Sequence, residues 1–369
     1  MRNDSEQNDA NAKRVLSGAA WAGFCERLKA AGTAILRPET PATELDSAEG
    51  WRYLSRLARL SLAMMLEFAD PDFPVFYAAS HDTIKVFAPN PDNLYLNATI
   101  AGDRDYRIHG QRGTVPYLSF GTKANRFAST GTMASTGELD AADMRFEPDG
   151  SFEILLSQTP QPGNWLPLAD DSSMVLVRQT FLDRAHETPA RLAIECLRRP
   201  TGPAPLTANI LATSLDAAGA FVENTARLLA DLSQRFARHP NALLAEPYRE
   251  LSMRTGGDPN ICYLHGYWRL APGEALLIET DVPDCVYWNF QLNNYWMESL
   301  DDRYLPVAVN KHSARYGADG RVLIVVAARD PGLGNFIATA GHGCGTMLLR
   351  WVSADRHPRP HCRVVRLSE

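Results

Sequence analysis

A chain of 369 residues is long enough for two domains with separate cores. Its 45% hydrophobic and 22% charged residues, with a net charge of −6, are those of a globular protein and supply no electrostatic reason to expect nucleic acid or an anionic membrane as partner. No apolar run approaches the roughly 18 residues of a membrane span, and six scattered cysteines without CxxC spacing read as free thiols of a cytoplasmic protein.

The N-terminal MRNDSEQNDANAKR is polar, carries both signs of charge and lacks the apolar core of a secretory signal, so it reads as a disordered tail. Leu16, Ala20, Phe24 and Leu28 recur at steps of four and predict a helix over 13–31, ending at Gly32. Together these make an arm over 1–48. A second helix is expected over 51–68, with Leu54, Leu57, Ser61, Met64 and Phe68 on one stripe, before the prolines at 71 and 74 stop it. From Pro74 to Phe181 helical periodicity gives way to short β-branched and aromatic runs, with strand candidates at 82–88, 93–101, 105–109, 114–120, 151–157 and 173–181. RRPTGPAPL at 198–206 is a linker, and a long helix follows over 207–236, its inward stripe including Leu211, Leu215, Leu228, Leu232 and Phe236. After the RTGGDP run at 254–259 the chain is again β-patterned almost to its end.

The two halves repeat each other. Tyr95 and Asn97 of NLYLNATI match Tyr263 and His265 of ICYLHGYW at an offset of 168. Tyr117 matches Tyr287 and Gly150 matches Gly320 at 170, Asn164 matches Asn335 at 171, and Arg178 matches Arg350 at 172. An offset that drifts by only four residues over these anchors indicates a duplicated unit of helix followed by sheet. The expected fold is therefore mainly β: two antiparallel β-sandwich or jelly-roll units, over 49–197 and 198–369, each preceded by an α-helix.

Residues 261–303 carry three of the seven tryptophans and the clearest period-2 patterning. In 261–270, Cys262, Leu264, Trp268 and Leu270 share one face, and Tyr263, His265 and Tyr267 the other. In 286–293, Val286, Trp288, Phe290 and Leu292 oppose Tyr287, Asn289, Gln291 and Asn293. Asn and Gln are depleted in strands, so an amide row beside Tyr and His marks a wet surface or a cavity wall.

The segments NYWMESLDDR, DPGLGNFIATAGHGCGTMLLRW and QPGNWLPLADDSSMVLVRQTF resemble the bacterial family of domain of unknown function 1214. The second half, roughly 200–355, carries the fuller likeness, and in the first half only the AspGly-to-Arg portion does. Asn335-Phe336-Ile337 stands where such proteins often have AsnTrpLeu. The resemblance implies a jelly-roll-like β fold and no reaction.

No HxH or HExxH occurs, and the prolines between His357 and His361 prevent a helix that would align them, so neither a transition metal nor a cofactor is expected. GxSxG, P-loop and dinucleotide fingerprints are absent. His265 is the candidate catalytic residue, because the first copy has Asn97 in its place and chemistry can be confined to one copy. Glu298 and Asp301, three apart, are candidate acid/base or imidazole-orienting carboxylates. Tyr263, Tyr267, Tyr287, Asn289, Gln291, Asn293 and Trp296 would bind substrate. Two readings follow: a metal-independent hydrolase, lyase or isomerase acting on a small oxygenated molecule in the second unit, or a non-catalytic protein whose aromatic and amide face grips a ligand, a carbohydrate or a second subunit.

Overall fold

The computed structural model describes residues 2–367. Helices α1 (Arg2–Leu16), α2 (Ala19–Ala31), α3 (Glu44–Leu62) and α4 (Ala208–Phe236) form one layer in which α4 touches each of the other three. The polar N-terminal stretch, expected to be a tail, is thus α1. Its few inward groups find partners on α4: Asn11 Nδ2 donates to Asn209 at 2.7 Å, and Arg14 grips Asp216 with both arms at 2.9 and 2.7 Å. The single helix expected over 13–31 is broken at Ser17 and Gly18, where glycine takes φ +77°. Thr43 and Thr207 cap α3 and α4, accepting from the amides of Asp46 at 3.0 Å and Ile210 at 3.1 Å.

The first unit holds β1 (Asn93–Thr99), β2 (Tyr106–Gln111), β3 (Tyr117–Arg126), β4 (Thr132–Asp140), β5 (Ser151–Ser157), β6 (Trp165–Pro167), β7 (Met174–Thr180) and β8 (Arg191–Cys196). A short β9 (Ala242–Leu244) and α5 (Arg249–Arg254) then lead into the second unit. That unit holds β10 (Ile261–Arg269), β11 (Glu274–Thr280), β12 (Cys285–Leu292), β13 (Ala308–Asn310), β14 (Val322–Ala327), β15 (Asn335–Ala338), β16 (Cys344–Ala354) and β17 (His361–Arg366). The sheet orders are β1-β7-β3-β4 and β6-β5-β2-β8 in the first unit, and β10-β16-β12-β13 and β15-β14-β11-β17 in the second. Position by position the second set repeats the first, as the sequence repeat requires. Tyr95 pairs with Arg178 across β1 and β7, and Tyr263 with Arg350 across β10 and β16. Asn164 donates to the carbonyls of Arg145 and Glu153, while Asn335, 171 residues on, donates to those of Arg315 and Leu323.

Three expectations change. Each sandwich contains one parallel pair, β5 with β6 and β14 with β15, because the AspGly hairpin is followed by a loop that brings the chain back in the same direction. Residues 82–88 form no strand beyond a bridge from His81 to Ile84 and instead run as irregular chain. Strand β4 escapes the sequence pattern because its Ser, Thr and Gly alternate with no apolar face.

Each sandwich has its own core between its two sheets. Ile108, Phe120, Ile154 and Val177 pack in the first, and Trp268, Ile278, Trp288, Phe290, Ile324 and Trp351 in the second. The outer faces of the β1 and β10 sheets, which carry the polar residues of the alternation, turn toward each other.

Candidate functional site

Between those two faces lies a cavity of about 170 Å³. Matched residues of the two copies line it from both sides: Tyr95, Asn97 and Arg178 from the first unit, and Tyr263, His265 and Arg350 from the second. Leu176 and Leu348 add apolar surface, Leu232 and Phe236 of α4 close one side, and Leu251, Ser252 and Thr255 close another. The wall is thus mostly apolar with a few converging polar groups, the usual constitution of a small-molecule site.

Two arms hold this arrangement by crossing between units. The first arm, residues 87–92, covers the second unit's sheet: Arg350 donates to Ala88 O at 2.5 Å, Tyr287 to Asp92 at 2.6 Å, and Asn289 to Asn90 at 3.1 Å. The second arm, residues 255–260, does the reverse. Arg178 donates to Gly256 O, and Tyr117 and Ser119 donate to Asp258 at 2.9 and 2.7 Å. Each arm also donates an amide to its own unit's cavity tyrosine, from Asn90 to Tyr95 and from Asp258 to Tyr263, both at 3.0 Å. Both arms present their carbonyl from a left-handed residue, Ala88 at φ +49° and Gly256 at φ +94°. Glycine takes that conformation freely, whereas alanine there stores strain that the Arg350 bond must hold.

His265 stacks on Phe236 with 4.9 Å between ring centroids, and its Nε2 lies 2.9 Å from the Ser252 hydroxyl oxygen. Ser252 also reaches the Tyr248 carbonyl at 3.0 Å. That carbonyl can only accept, so the hydroxyl donates to it and accepts from Nε2–H of a neutral imidazole. Burial, and then the Arg350 charge, push the His265 pKa down to about 3. The side chain is one of those lining the cavity.

Of the residues expected to form a site, Tyr263 and His265 line the cavity and the others stand elsewhere. Tyr287, Asn289 and Gln291 are fully buried and occupied by the first arm, by Arg350 and by each other, and Asn293 bonds Gln291 and Thr346. The amide row is therefore a seam between the units. Tyr267 turns toward Tyr295 under the helical layer, and Trp296 stacks on Tyr53 at 6.0 Å. Glu298 receives Arg56 at 2.6 Å and Asn294 at 3.0 Å, and Asp301 is clasped by Arg303 at the surface. Neither carboxylate bonds the imidazole, because Glu298 faces Arg56 of α3 and Asp301 lies at the surface with Arg303.

The cavity residues that sequence reasoning passed over as site candidates are Tyr95, Asn97, Arg178, Arg350 and Ser252. The signal for the first four was the repeat itself, since its anchors are the residues that face one another. Ser252 carried no signal, lying on a six-residue helix whose position only the fold decides.

The sequence profile of the family described as protein of unknown function (DUF1214) matches residues 96–181, which lie in the first unit rather than the second. A crystal structure of an uncharacterised protein from Burkholderia cenocepacia is 50% identical over 96% of this chain and 99% of that one, with a TM-score of 0.94. A Vibrio parahaemolyticus protein is 11% identical over 86% of this chain and 98% of that one, with a TM-score of 0.46. No curated protein matches.

Proposed function

We propose, for a chain that belongs to the DUF1214 family, that it binds a small, largely apolar oxygenated molecule in the cavity between its two units. The observation that carries this reading is the cavity of about 170 Å³ at the seam of the repeat, lined by matched polar residues of both copies. An apolar cavity of about 150 Å³ is known to hold a benzene-sized guest. The site belongs to both units, where the sequence had pointed to the second alone. The jelly-roll description of the units and a cytoplasmic location go with this reading, the latter supported by six free cysteines.

The test is thermal stabilisation by a neutral probe, 4-methylpentan-1-ol, in the unchanged chain and in Leu176→Trp, which fills the cavity from β7. Binding is expected in the first and lost in the second. Equal stabilisation of both places the alcohol elsewhere and removes the proposal.

The hydrolase, lyase or isomerase reading draws on one contact, the Ser252–His265 pair. An imidazole depressed to about 3 is a poor base near neutral pH, and no carboxylate bonds it, so binding without turnover is the stronger reading. Turnover that falls ~100-fold in both Ser252→Ala and His265→Asn would establish the catalytic reading instead.

A further inference from the structure

Two atoms of the cavity-lining residues, Arg178 Nη1 and Asn97 Oδ1, are buried without a hydrogen-bond partner among the described residues, although Nη1 has the Asp258 carboxylate beside it, Oδ2 at 3.5 Å. Both side chains are more than nine-tenths buried, Arg178 at 5% exposure and Asn97 at 7%. A buried donor or acceptor left unmade costs about 1–3 kcal/mol, and more for a charged group, so two such groups beside one cavity favour a guest that can meet them. One is a charged donor and the other a neutral acceptor. They stand on neighbouring strands, since β1 pairs with β7.

The charge of the wall points the same way. Arg178 has a carboxylate nearby, Asp258 Oδ2 at 3.5 Å. Arg350 has none within reach among the described residues: its partners are Gln291 Oε1 at 2.5 Å, Asn289 Oδ1 at 3.3 Å and the Ala88 carbonyl. Of the two guanidiniums in the wall, Arg350 is the one with no carboxylate within 4 Å among the described residues. The adjacent Lys123 is matched by Glu138. Arg350 is therefore a buried guanidinium of the cavity wall held directly only by neutral oxygens, in surroundings where an unpaired charge is expensive. A monoanion balances it, whereas a phosphate dianion would overshoot and would meet too few donors on a mostly apolar wall.

We propose that the ligand is a small hydroxy carboxylic acid. Its carboxylate accepts from Arg178 Nη1 within the field of Arg350, its hydroxyl donates to Asn97 Oδ1, and its short apolar body lies among Leu176, Leu348, Leu251 and Phe236. This rests on the binding reading of the same cavity and adds the chemistry of the guest.

The experiment is calorimetric titration of the full chain with four probes of one carbon skeleton: 2-hydroxy-4-methylpentanoate, its amide, 4-methylpentanoate and 4-methylpentan-1-ol. The hydroxy acid should bind at least about 10-fold more tightly than its amide, the scale of one hydrogen bond to a charged group. It should also bind several-fold more tightly than 4-methylpentanoate, which has nothing to offer Asn97. Arg178→Lys should weaken the hydroxy acid about 10-fold or more while sparing the amide, and Asn97→Leu should erase the preference for the hydroxyl. The comparison of probes on the unchanged chain stands even where a variant fails to fold. An amide or alcohol that binds as tightly as the acid overturns the carboxylate assignment and leaves the cavity reading intact. Failure of all four probes to bind overturns both.

Discussion

His265 and His342 sit in opposite electrostatic surroundings, and pH separates them. Burial and Arg350 depress His265 from 6.5 to about 3. The unfolded chain therefore takes a proton between about 6.5 and 3 that the folded chain refuses, and stability falls as pH falls through that window. Burial would lower His342 as well, but Asp46 at 2.7 Å and Glu49 at 3.4 Å override it and hold the ring at about 9. Its contribution is complete below the unfolded value of 6.5 and is lost as pH rises through 9. Glu49 is also desolvated, yet His342 and Asn294 hold it at about 2, so its contribution is present above 4.5 and lost only as pH falls through 2. Ring resonances should accordingly show His265 neutral at pH 5 and His342 protonated at pH 8. His265→Asn, which installs the residue of the first copy, should flatten the loss of melting temperature between pH 6.5 and the onset of general acid unfolding. A His265 ring that titrates near 6.5 would show that it is not sealed behind α5 and α4.

Among the elements, the segment Asn293–Leu300 does something other than its composition suggested. Its tyrosine, tryptophan and glutamate look like a binding surface, yet they fasten the helical layer to the second unit. Ser233 donates to the Tyr295 carbonyl at 2.6 Å, Trp296 packs against Tyr53 and its indole reaches the Asp46 carbonyl, and Glu298 takes Arg56. Gly50 lies so close that a Cβ there would stand 2.9 Å from the Trp296 ring. Trp296→Ala should cost about 3–5 kcal/mol, the usual range for emptying a buried aromatic site. It should accelerate amide exchange in α3 before it does so in β12 or β16. Uniform acceleration across the molecule would mean that the segment is not a local latch. The alternation over 286–293 gives which residues share a face, with Trp288, Phe290 and Leu292 in the core and Tyr287 and Asn289 opposite. What covered that face was not legible, because periodicity reports direction and not the neighbour.

At the scale of the molecule, the reciprocal arms make the two sandwiches interdependent. Removing the first unit would leave Arg350 without Ala88, and Tyr287 and Asn289 without Asp92 and Asn90, stranding buried polar groups on a sheet face. Calorimetry of the full chain should therefore give one cooperative transition, and residues 198–369 alone should fail to give a sharp one. Two separated transitions, or a stably folded second unit by itself, would show that the arms contribute little. The same crossing makes the cavity, since each arm positions the tyrosine of its own unit and the arginine of the other.

The duplication, the β-sandwich class, the long helix over Ala208–Phe236 and the inward and outward faces of the strands were all determined by sequence, because they depend on local periodicity and on the spacing of repeated anchors. Which polar residues remain free for a ligand was decided only by the tertiary structure. Tyr287, Asn289 and Gln291 are as polar in sequence as Asn97 and Arg178, but an arm some 200 positions earlier in the chain satisfies the first group, while Asn97 Oδ1 is left without a partner and Arg178 Nη1 with only the Asp258 carboxylate at 3.5 Å. Hydrogen-bond satisfaction is a property of what packs across a face. It enters the chain's pattern only when both sides of the contact are known.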